Sequence, residues 1–318
     1  MTRIEVVAPD GVPEVRHGDD LVALLLPLVD LADGDVVVVT SKVVSKAEGR
    51  VVAGSREDLL ASETARVVAR RGLTTIVRTR LGLTMAAAGI DGSNVDVGSV
   101  VLLPEDPDAS ARAIRSRIQQ RTGRNVGVIV TDTAGRAWRE GQTDIAIGAA
   151  GLLVAEDYAG RLDAYGNELE VTAPAVADEI AGVSELAQGK LGGRPFAVVR
   201  GRADLVLAAG EDGPGARSLV RAEGGDLFGY GAREAVVRAL LGDPADRAPF
   251  GSPAPAAELL EVLRTVTRAE ARQDGGAIVV TSARPEALAA LAFAHGWAVG
   301  PGESTDSAVE VRLHPATP

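Results

Sequence analysis

VGVIVTDTAGRAWREGQTDIAIGAAG, residues 126–151, is the stretch on which the reading of this chain turns. Its opening, Val126 to Val130, is an apolar run of the kind that makes a buried strand. The run passes abruptly into Thr131, Asp132, Thr133, Gly135, Arg136, Trp138, Arg139, Gln142 and Asp144. A strand that delivers an Asp, two hydroxyls, a Gly and two Arg suits an anionic substrate better than a plain turn. Ligands of α/β proteins gather at the carboxyl ends of strands. Asp132, a lone carboxylate between two threonines, suits Mg²⁺, which takes one or two carboxylates and lets water and phosphate complete its shell. Arg136 and Arg139 offer planar forks for phosphate or carboxylate. The same residues also fit an Asp-turn with a surface Arg–carboxylate pair.

Working outward, Val36 to Val39 is a second β-branched run and reads as another buried strand. It leads into Thr40 to Arg50, where Ser41, Lys42, Ser45 and Lys46 supply hydroxyls and point charges suited to phosphate. The spacing GxxxxGK(S/T) is absent, so this is not a P-loop, and a solvated turn fits the same pattern. Residues 3–8 read as a strand, 19–31 as a helix capped by an Asp, 56–71 and 108–122 as helices, and 100–103 as a strand. Further on, 163–169 reads as a turn between strands, 173–186 as a helix and 196–199 as a strand. Glu211 to Ser218 is a Gly-rich loop entering a short helix, a place where free N–H groups can hold phosphate. Carboxylates such as Asp178, Glu179 and Glu185 on the helix read first as a solvated face. The class is therefore α+β (mixed α/β).

Pro, Gly, Ala and Asp concentrate at 242–256 and mark a boundary. The expected organisation is a main domain over 1–245, a linker at 246–256 and a small α/β extension over 257–318. That extension reads as helix 257–272, strand 276–281, helix 285–295 and short strands near 297–300 and 308–313. It carries no legible motif.

Composition narrows the function. With 33 basic against 44 acidic residues the net charge is −11, without the basic footprint of nonspecific nucleic-acid binding. There is no cysteine, which excludes disulfides, thiolate metal sites and a Cys nucleophile. Three histidines, His17, His295 and His314, argue against a His-rich metal site, so any metal should be hard and oxygen-ligated. The N-terminus lacks a basic-then-apolar signal, and no apolar run reaches the roughly 20 residues that span a bilayer. The expectation is a cytoplasmic protein with no membrane partner.

Taken together, several segments resemble one family. They are VPEV (12–15), DGDVVVVTSKVVSKAEGR (33–50), TMAAAGIDGSN (84–94), VTDTAGRAWREGQTDIAIGAAG (130–151), DAYGNELEVTAPAVADEIAGVSELAQGK (163–190), AVVRG (197–201) and GPGARSLVRAEGGDLF (213–228). In this order they resemble the coenzyme F420-0:L-glutamate ligases, also called F420:γ-glutamyl ligases, over residues 3–242. The resemblance implies an intertwined α+β fold that forms a homodimer. It implies GTP-dependent ligation of L-glutamate to F420-0, then of a γ-linked glutamate, through an acyl phosphate. GTP is the co-substrate, with Mg²⁺ or Mn²⁺; K⁺ is left open as a further ion. By the same resemblance the nucleotide contacts fall on Val12, Pro13, Glu14, Val15, Ser41, Lys42, Lys46 and Gly135. A later set falls on Arg200 and Gly201 or on Gly213, Gly215 and Arg217. Asp132 and Arg136 would be the catalytic pair, and Asp132 the metal ligand, with a second cluster near Thr172. Relatives often carry an acidic residue after that Thr; here Ala173 and Pro174 follow, so either Glu170 or Asp178 would substitute or the metal would be held differently. Related actinobacterial ligase domains are often fused to a flavin-binding, nitroreductase-like domain. The residues after 246 are too few for one, so its reductase activity is not expected. Two alternatives fit the same residues: ligation of a different amino acid onto a related deazaflavin, or nucleotide or F420 binding without catalysis.

Overall fold

A computed structural model describes residues 3–222, 224–226, 228–304 and 309–316. The chain divides into two compact units, one of residues up to 67 with 72–220, the other of 68–71 with 221–318. Segment 246–256, read from its composition as a linker, lies inside the second unit. There Pro244–Asp246 and Ala248–Phe250 form single 3₁₀ turns, and Phe250 packs edge-on against Phe293. Proline punctuates structure here without ending it.

The first unit begins with β1 (Glu5–Val7), α1 (Leu21–Leu25), β2 (Val36–Thr40), α2 (Ser41–Ala47) and β3 (Val51–Ala53). There follow α3 (Arg56–Glu63), β4 (Thr64–Arg71, of which residues 68–71 count with the second unit), β5 (Thr74–Thr79), β6 (Thr84–Ala86) and β7 (Ser99–Val101). Then come α4 (Pro107–Thr122), β8 (Gly127–Gly135), β9 (Gln142–Ala150), α5 (Val176–Gln188) and β10 (Phe196–Arg200). The main sheet has the order β1-β10-β2-β8-β9. Only β2 and β8 run parallel; the other neighbours are antiparallel.

The unbroken apolar runs exist because this sheet is covered on both faces. Val37, Val39, Val128 and Val130 pack with Leu21, Val22 and Leu25 of α1, Val44 of α2, and Ala111, Ile114 and Ile118 of α4. Val36, Val38, Ile129, Ala149 and Val199 face the other way, onto Val176, Ala177 and Ile180 of α5 and onto Leu152, Leu205 and Ala216. A satellite core of Val77, Ala88, Ile90, Val100 and Leu102 supports segment 51–103.

Several elements differ from the sequence reading, each for a local reason. The helix expected over 19–31 is five residues long, capped by the Asp20 side chain on the N–H groups of Val22 and Ala23. Pro27 has no N–H to continue it. The helix expected over 56–71 stops at Glu63, and Thr64 to Arg71 is strand β4, where Thr64, Val67 and Val68 are β-branched. Thr40 to Arg50 is not a turn: β2 runs without a break into α2. The strand expected to end at Val130 continues through Gly135, paired with β9.

Register shifts between Val130 and Thr131, because Val130 faces Gly148 while Thr131 faces Ala146. The glycine there is a packing requirement. A Cβ at Gly148 would lie 2.3 Å from the Pro107 carbonyl oxygen at the start of α4. Gly148→Ala should therefore force the two elements apart and destabilise the unit by about 1–3 kcal/mol or more, read as a lower midpoint in urea unfolding.

The second unit contains α6 (Ala232–Leu241), α7 (Ala256–Thr267), β11 (Glu270–Asp274), β12 (Ala277–Ser282), α8 (Pro285–Ala294), β13 (Trp297–Ser304) and β14 (Val309–Pro315). The helix expected over 257–272 ends at Thr267, where Arg268 turns left-handed and β11 begins. Ala308, the first residue of the expected 308–313 strand, lies outside the described residues. The strands form an antiparallel sheet of order β11-β12-β14-β13. Ile278, Val280 and Leu313 of that sheet pack with Leu259 and Leu263 of α7, Leu288 of α8 and Trp297. Among the described residues no helix is long and apolar enough to cross a membrane.

Candidate active site

The two parallel strands end side by side, with Thr40 opposite Thr131. Beyond that level β2 becomes α2, which presents Ser41 and Lys42 in its first turn and Lys46 one turn on. β8 continues to Asp132, and Ser41 Oγ donates to Asp132 Oδ1 at 2.8 Å. A cavity of about 760 Å³ opens here. On one side are Val12 to Val15, Ser41, Lys42, Lys46, Arg56, Gly89 to Asp91, Ser93 and Asn94; on the other are Thr133, Asp144, Glu185, Gln188, Lys190 and Arg194.

Both lysines of α2 are already engaged. Lys42 Nζ lies 2.7 Å from Asp91 Oδ2 and donates to Ser93 Oγ at 2.6 Å. Lys46, nearly buried, donates to Glu14 Oε1 and, at 2.6 Å, to the Asn94 carbonyl. Burial pushes the Asp91 carboxyl up, yet Lys42 and Ser93 outweigh it and hold it below the usual carboxylate range. Among the described residues Asp132 has no cation as a partner. Burial, followed by the charge of Asp144, overcomes the Ser41 hydrogen bond and raises its pKa to about 7.

The opposite wall is a polar network. Asp144, buried, accepts from Thr133 Oγ1 at 2.7 Å and Thr131 Oγ1 at 3.2 Å. Its N–H donates to Glu185 Oε2 at 3.2 Å. Lys190 Nζ donates to Thr133 Oγ1 at 2.6 Å and lies 2.5 Å from Glu185 Oε1 and 3.4 Å from Asp144 Oδ1. Burial lowers the Lys190 pKa, but Glu185 and Asp144 more than offset that and raise it overall.

Of the residues expected from the sequence, Val12, Pro13, Glu14, Val15, Ser41, Lys42, Lys46, Asp132 and Gly135 line this one cavity. Others do not. Arg136 is exposed on the β8–β9 hairpin and donates to the Glu140 carbonyl. Arg200 is held by Asp35, at 3.0 Å, and by the Asp30 carbonyl, and a Cβ at the neighbouring Gly201 would strike the Arg3 carbonyl. Gly213, Gly215 and Arg217 lie on a loop whose free N–H groups are taken by Asp108, which accepts from Ala216 at 2.8 Å and Arg217 at 3.3 Å. Asp178 accepts from the Ala146 N–H at 2.8 Å, and burial raises its pKa. Glu170 and Thr172 are exposed and line no part of the cavity; the Thr172 carbonyl accepts from Tyr158.

Asp144, Glu185, Gln188, Lys190 and Arg194 were not singled out as site residues from sequence. One signal pointed to part of this wall. The chain has 33 basic residues, of which three, Lys42, Lys46 and Lys190, are lysine, and all three line the cavity. In a chain that otherwise uses arginine, a retained lysine marks a place where a compact point charge is wanted.

The sequence model of the family described as F420-0:Gamma-glutamyl ligase matches residues 11–71 and 55–201. The chain belongs to that family. It is 43% identical over 221 residues, 63% of its own length and 88% of the relative's, to a protein of Archaeoglobus fulgidus named Coenzyme F420:L-glutamate ligase. Proteins of the same name from Haloarcula marismortui and Methanopyrus kandleri are 42% identical over 223 residues and 38% over 238. These cover 62% and 68% of this chain, and 87% and 93% of the relatives. The mixed α/β architecture is in keeping with this F420-0:γ-glutamyl ligase membership, and the segments that carried the resemblance supply both walls of the cavity.

Proposed function

We propose that this F420-0:γ-glutamyl ligase homologue couples GTP cleavage to amide formation between the terminal carboxylate of F420-0 and the amine of L-glutamate. A second, γ-linked glutamate follows. The observation that carries the reading is the gathering of all three lysines, Ser41 and Asp132 in one cavity at the end of a parallel strand pair. Every participant is anionic, and an acidic chain has concentrated its point charges where they would meet.

The balanced sequence has two steps. A carboxylate oxygen of F420-0 attacks the γ-phosphorus of GTP, forming the acyl phosphate as the bond to GDP breaks. The glutamate amine then attacks the acyl carbon, and phosphate and a proton leave. In such transfers the protein mostly positions groups and neutralises charge. Lys42 and Lys46 would hand over Asp91, Glu14 and the Asn94 carbonyl for phosphate oxygens, and Ser41 would orient Asp132. Asp132 fits a hard divalent cation, Mg²⁺ or Mn²⁺, because it is a carboxylate facing the cavity whose side-chain partner is the Ser41 hydroxyl, with no cation paired to it among the described residues. Such an ion, when bound, would neutralise phosphate charge. Glu170, Thr172 and Asp178 do not join Asp132 in this cavity, and among the described residues no three potential ligands cluster as a metal group.

Starting from F420-0 labelled with ¹⁸O in its terminal carboxylate, one label should appear in the phosphate released, with GDP formed only when F420-0 and glutamate are both present. Unlabelled phosphate sinks the acyl-phosphate route. GDP release that ignores both co-substrates sinks the ligase.

A further inference from the structure

The wall formed by the end of α5 and the turn into β10 has a chemistry that phosphate binding does not use. Its charges alternate in sign. Lys190 and Arg194 are cationic, while Glu185 and Asp144 are anionic. Gln188 lies between them, buried, lining the same cavity, and its amide nitrogen has no hydrogen-bond partner. A buried donor left unmet costs about 1–3 kcal/mol, so a fold keeps one only for a reason. The Arg194 guanidinium spends Nε on Asp10 and Nη1 on the Gln188 carbonyl. Its Nη2 faces no carboxylate among the described ion pairs.

We propose that this wall is the amino-acid subsite, which receives L-glutamate as a zwitterion between Lys190 and Glu185, with Gln188 and Arg194 reading its second carboxylate. The proposal rests on the ligase reading above and extends it to residues that reading does not use. Lys190 and Glu185 form a pair open to the cavity, with Lys190 more than half exposed, so separating them costs little. An amino acid entering between them presents its carboxylate to Lys190 and its ammonium to Glu185. Each protein charge exchanges one partner for another, and no buried charge is left alone. A helix C-terminus, with its outward carbonyls, also favours the ammonium on the Glu185 side. Asp144 stays bound by Thr131 and Thr133 and keeps Lys190 in place. The amine then faces the cavity into which Asp132 also opens. A neutral amino acid would leave the Gln188 amide nitrogen unmet and bring no carboxylate to Arg194 Nη2, so the site prefers a dicarboxylic one.

The test uses the intact chain and two variants, Gln188→Leu and Lys190→Met. Gln188→Leu removes the unmet donor at similar volume, so its thermal midpoint should equal or exceed that of the wild type. In steady-state assays both variants should raise KM for L-glutamate at least tenfold and change KM for GTP and F420-0 less than twofold. An unchanged KM for glutamate, or equal changes in all three, overturns the subsite. If the wild type shows no GTP-dependent turnover, the ligase reading fails by itself, and equilibrium dialysis with L-[¹⁴C]glutamate then decides the subsite. Retention by the wild type and loss in Gln188→Leu supports it; equal retention, or none by either, overturns it.

Discussion

Asp132→Asn should lower ligase turnover by about a hundredfold or more while making the folded protein more stable above neutral pH. The two effects have one origin. Asp132 lines the cavity with Ser41 as its hydrogen-bond donor, Asp144 nearby and, among the described residues, no cation as a partner. Burial is the largest influence on it and the repulsion of Asp144 adds to it, so the folded protein holds the proton up to about pH 7. The pKa is raised in the fold, so the stability linked to this group is present at pH values below 4. It is lost as pH climbs from there, where the unfolded chain ionises, to about 7, where the folded chain follows. At about 1.36 kcal/mol per pKa unit the loss is at most about 4 kcal/mol. Asparagine has the same shape and no charge to desolvate, so its thermal midpoint should vary less between pH 4 and 7 and exceed the wild type's at pH 8. Mn²⁺ or Mg²⁺ at pH 8 should raise the wild-type midpoint and leave that of the variant unmoved. The catalytic loss follows because a site crowded with phosphate charge would have lost the cavity carboxylate that no described cation neutralises, and removing a single group that stabilises transition-state charge costs about 10²–10³ in rate. Full activity in Asp132→Asn, or a steeper pH dependence of its melting, would refute this role.

What the sequence displayed, and what it hid, divides along a physical line. The strands β2 and β8 were legible because burial on both faces demands continuous apolar, β-branched runs, and β10 and β12 were legible for the same reason. Asp132, Ser41, Lys42 and Lys46 were legible because each stands directly past such a run. The helix α2 was not, since its N-cap, Thr40, makes no side-chain capping bond and no loop separates it from the strand. Cations and free N–H groups announce that an anion is needed but not whose. Arg200, which the family resemblance offered as one choice for the nucleotide, is paired in the fold with Asp35, far away in sequence and adjacent across the sheet. Lys190, by contrast, was recoverable from rarity alone, since lysine is scarce among the basic residues of this chain.

Asp108→Ala should be the most damaging single change to the fold among those considered, for the same reason that the 211–218 loop resembled a phosphate site. Asp108 stands in the first turn of α4, behind the N-cap Asp106 and the N1 proline. One of its oxygens accepts from the Ala149 N–H of β9 and the Ala216 N–H, both at 2.8 Å, and the other from the Arg217 N–H at 3.3 Å. Three elements are thus joined through one buried carboxylate. The loop has been built tightly around it: a Cβ on Gly215 would come within 2.5 Å of an Asp108 oxygen, and Gly215 itself is left-handed. The carboxylate does internally what a bound phosphate does at other Gly-rich turns, satisfying outward N–H groups with negative charge. Removing it strands two buried donors, the Ala149 and Ala216 N–H groups, and the half-buried N–H of Arg217; at about 1–3 kcal/mol for each buried donor, a loss of roughly 3–5 kcal/mol is expected after local relaxation. For a unit of this size that corresponds to a fall of roughly 10 °C or more in thermal midpoint. Asp108→Asn separates the causes. Its amide oxygen can serve Ala149 and Ala216 and sacrifices only the longer bond to Arg217, so it should lose less than half as much. Added phosphate should restore part of the midpoint of Asp108→Ala and none of that of the wild type, because only the alanine variant has an anion-sized vacancy facing those N–H groups. A midpoint within 2 °C of wild type in Asp108→Ala would show that the loop is held by its apolar packing through Ala216, with the carboxylate incidental.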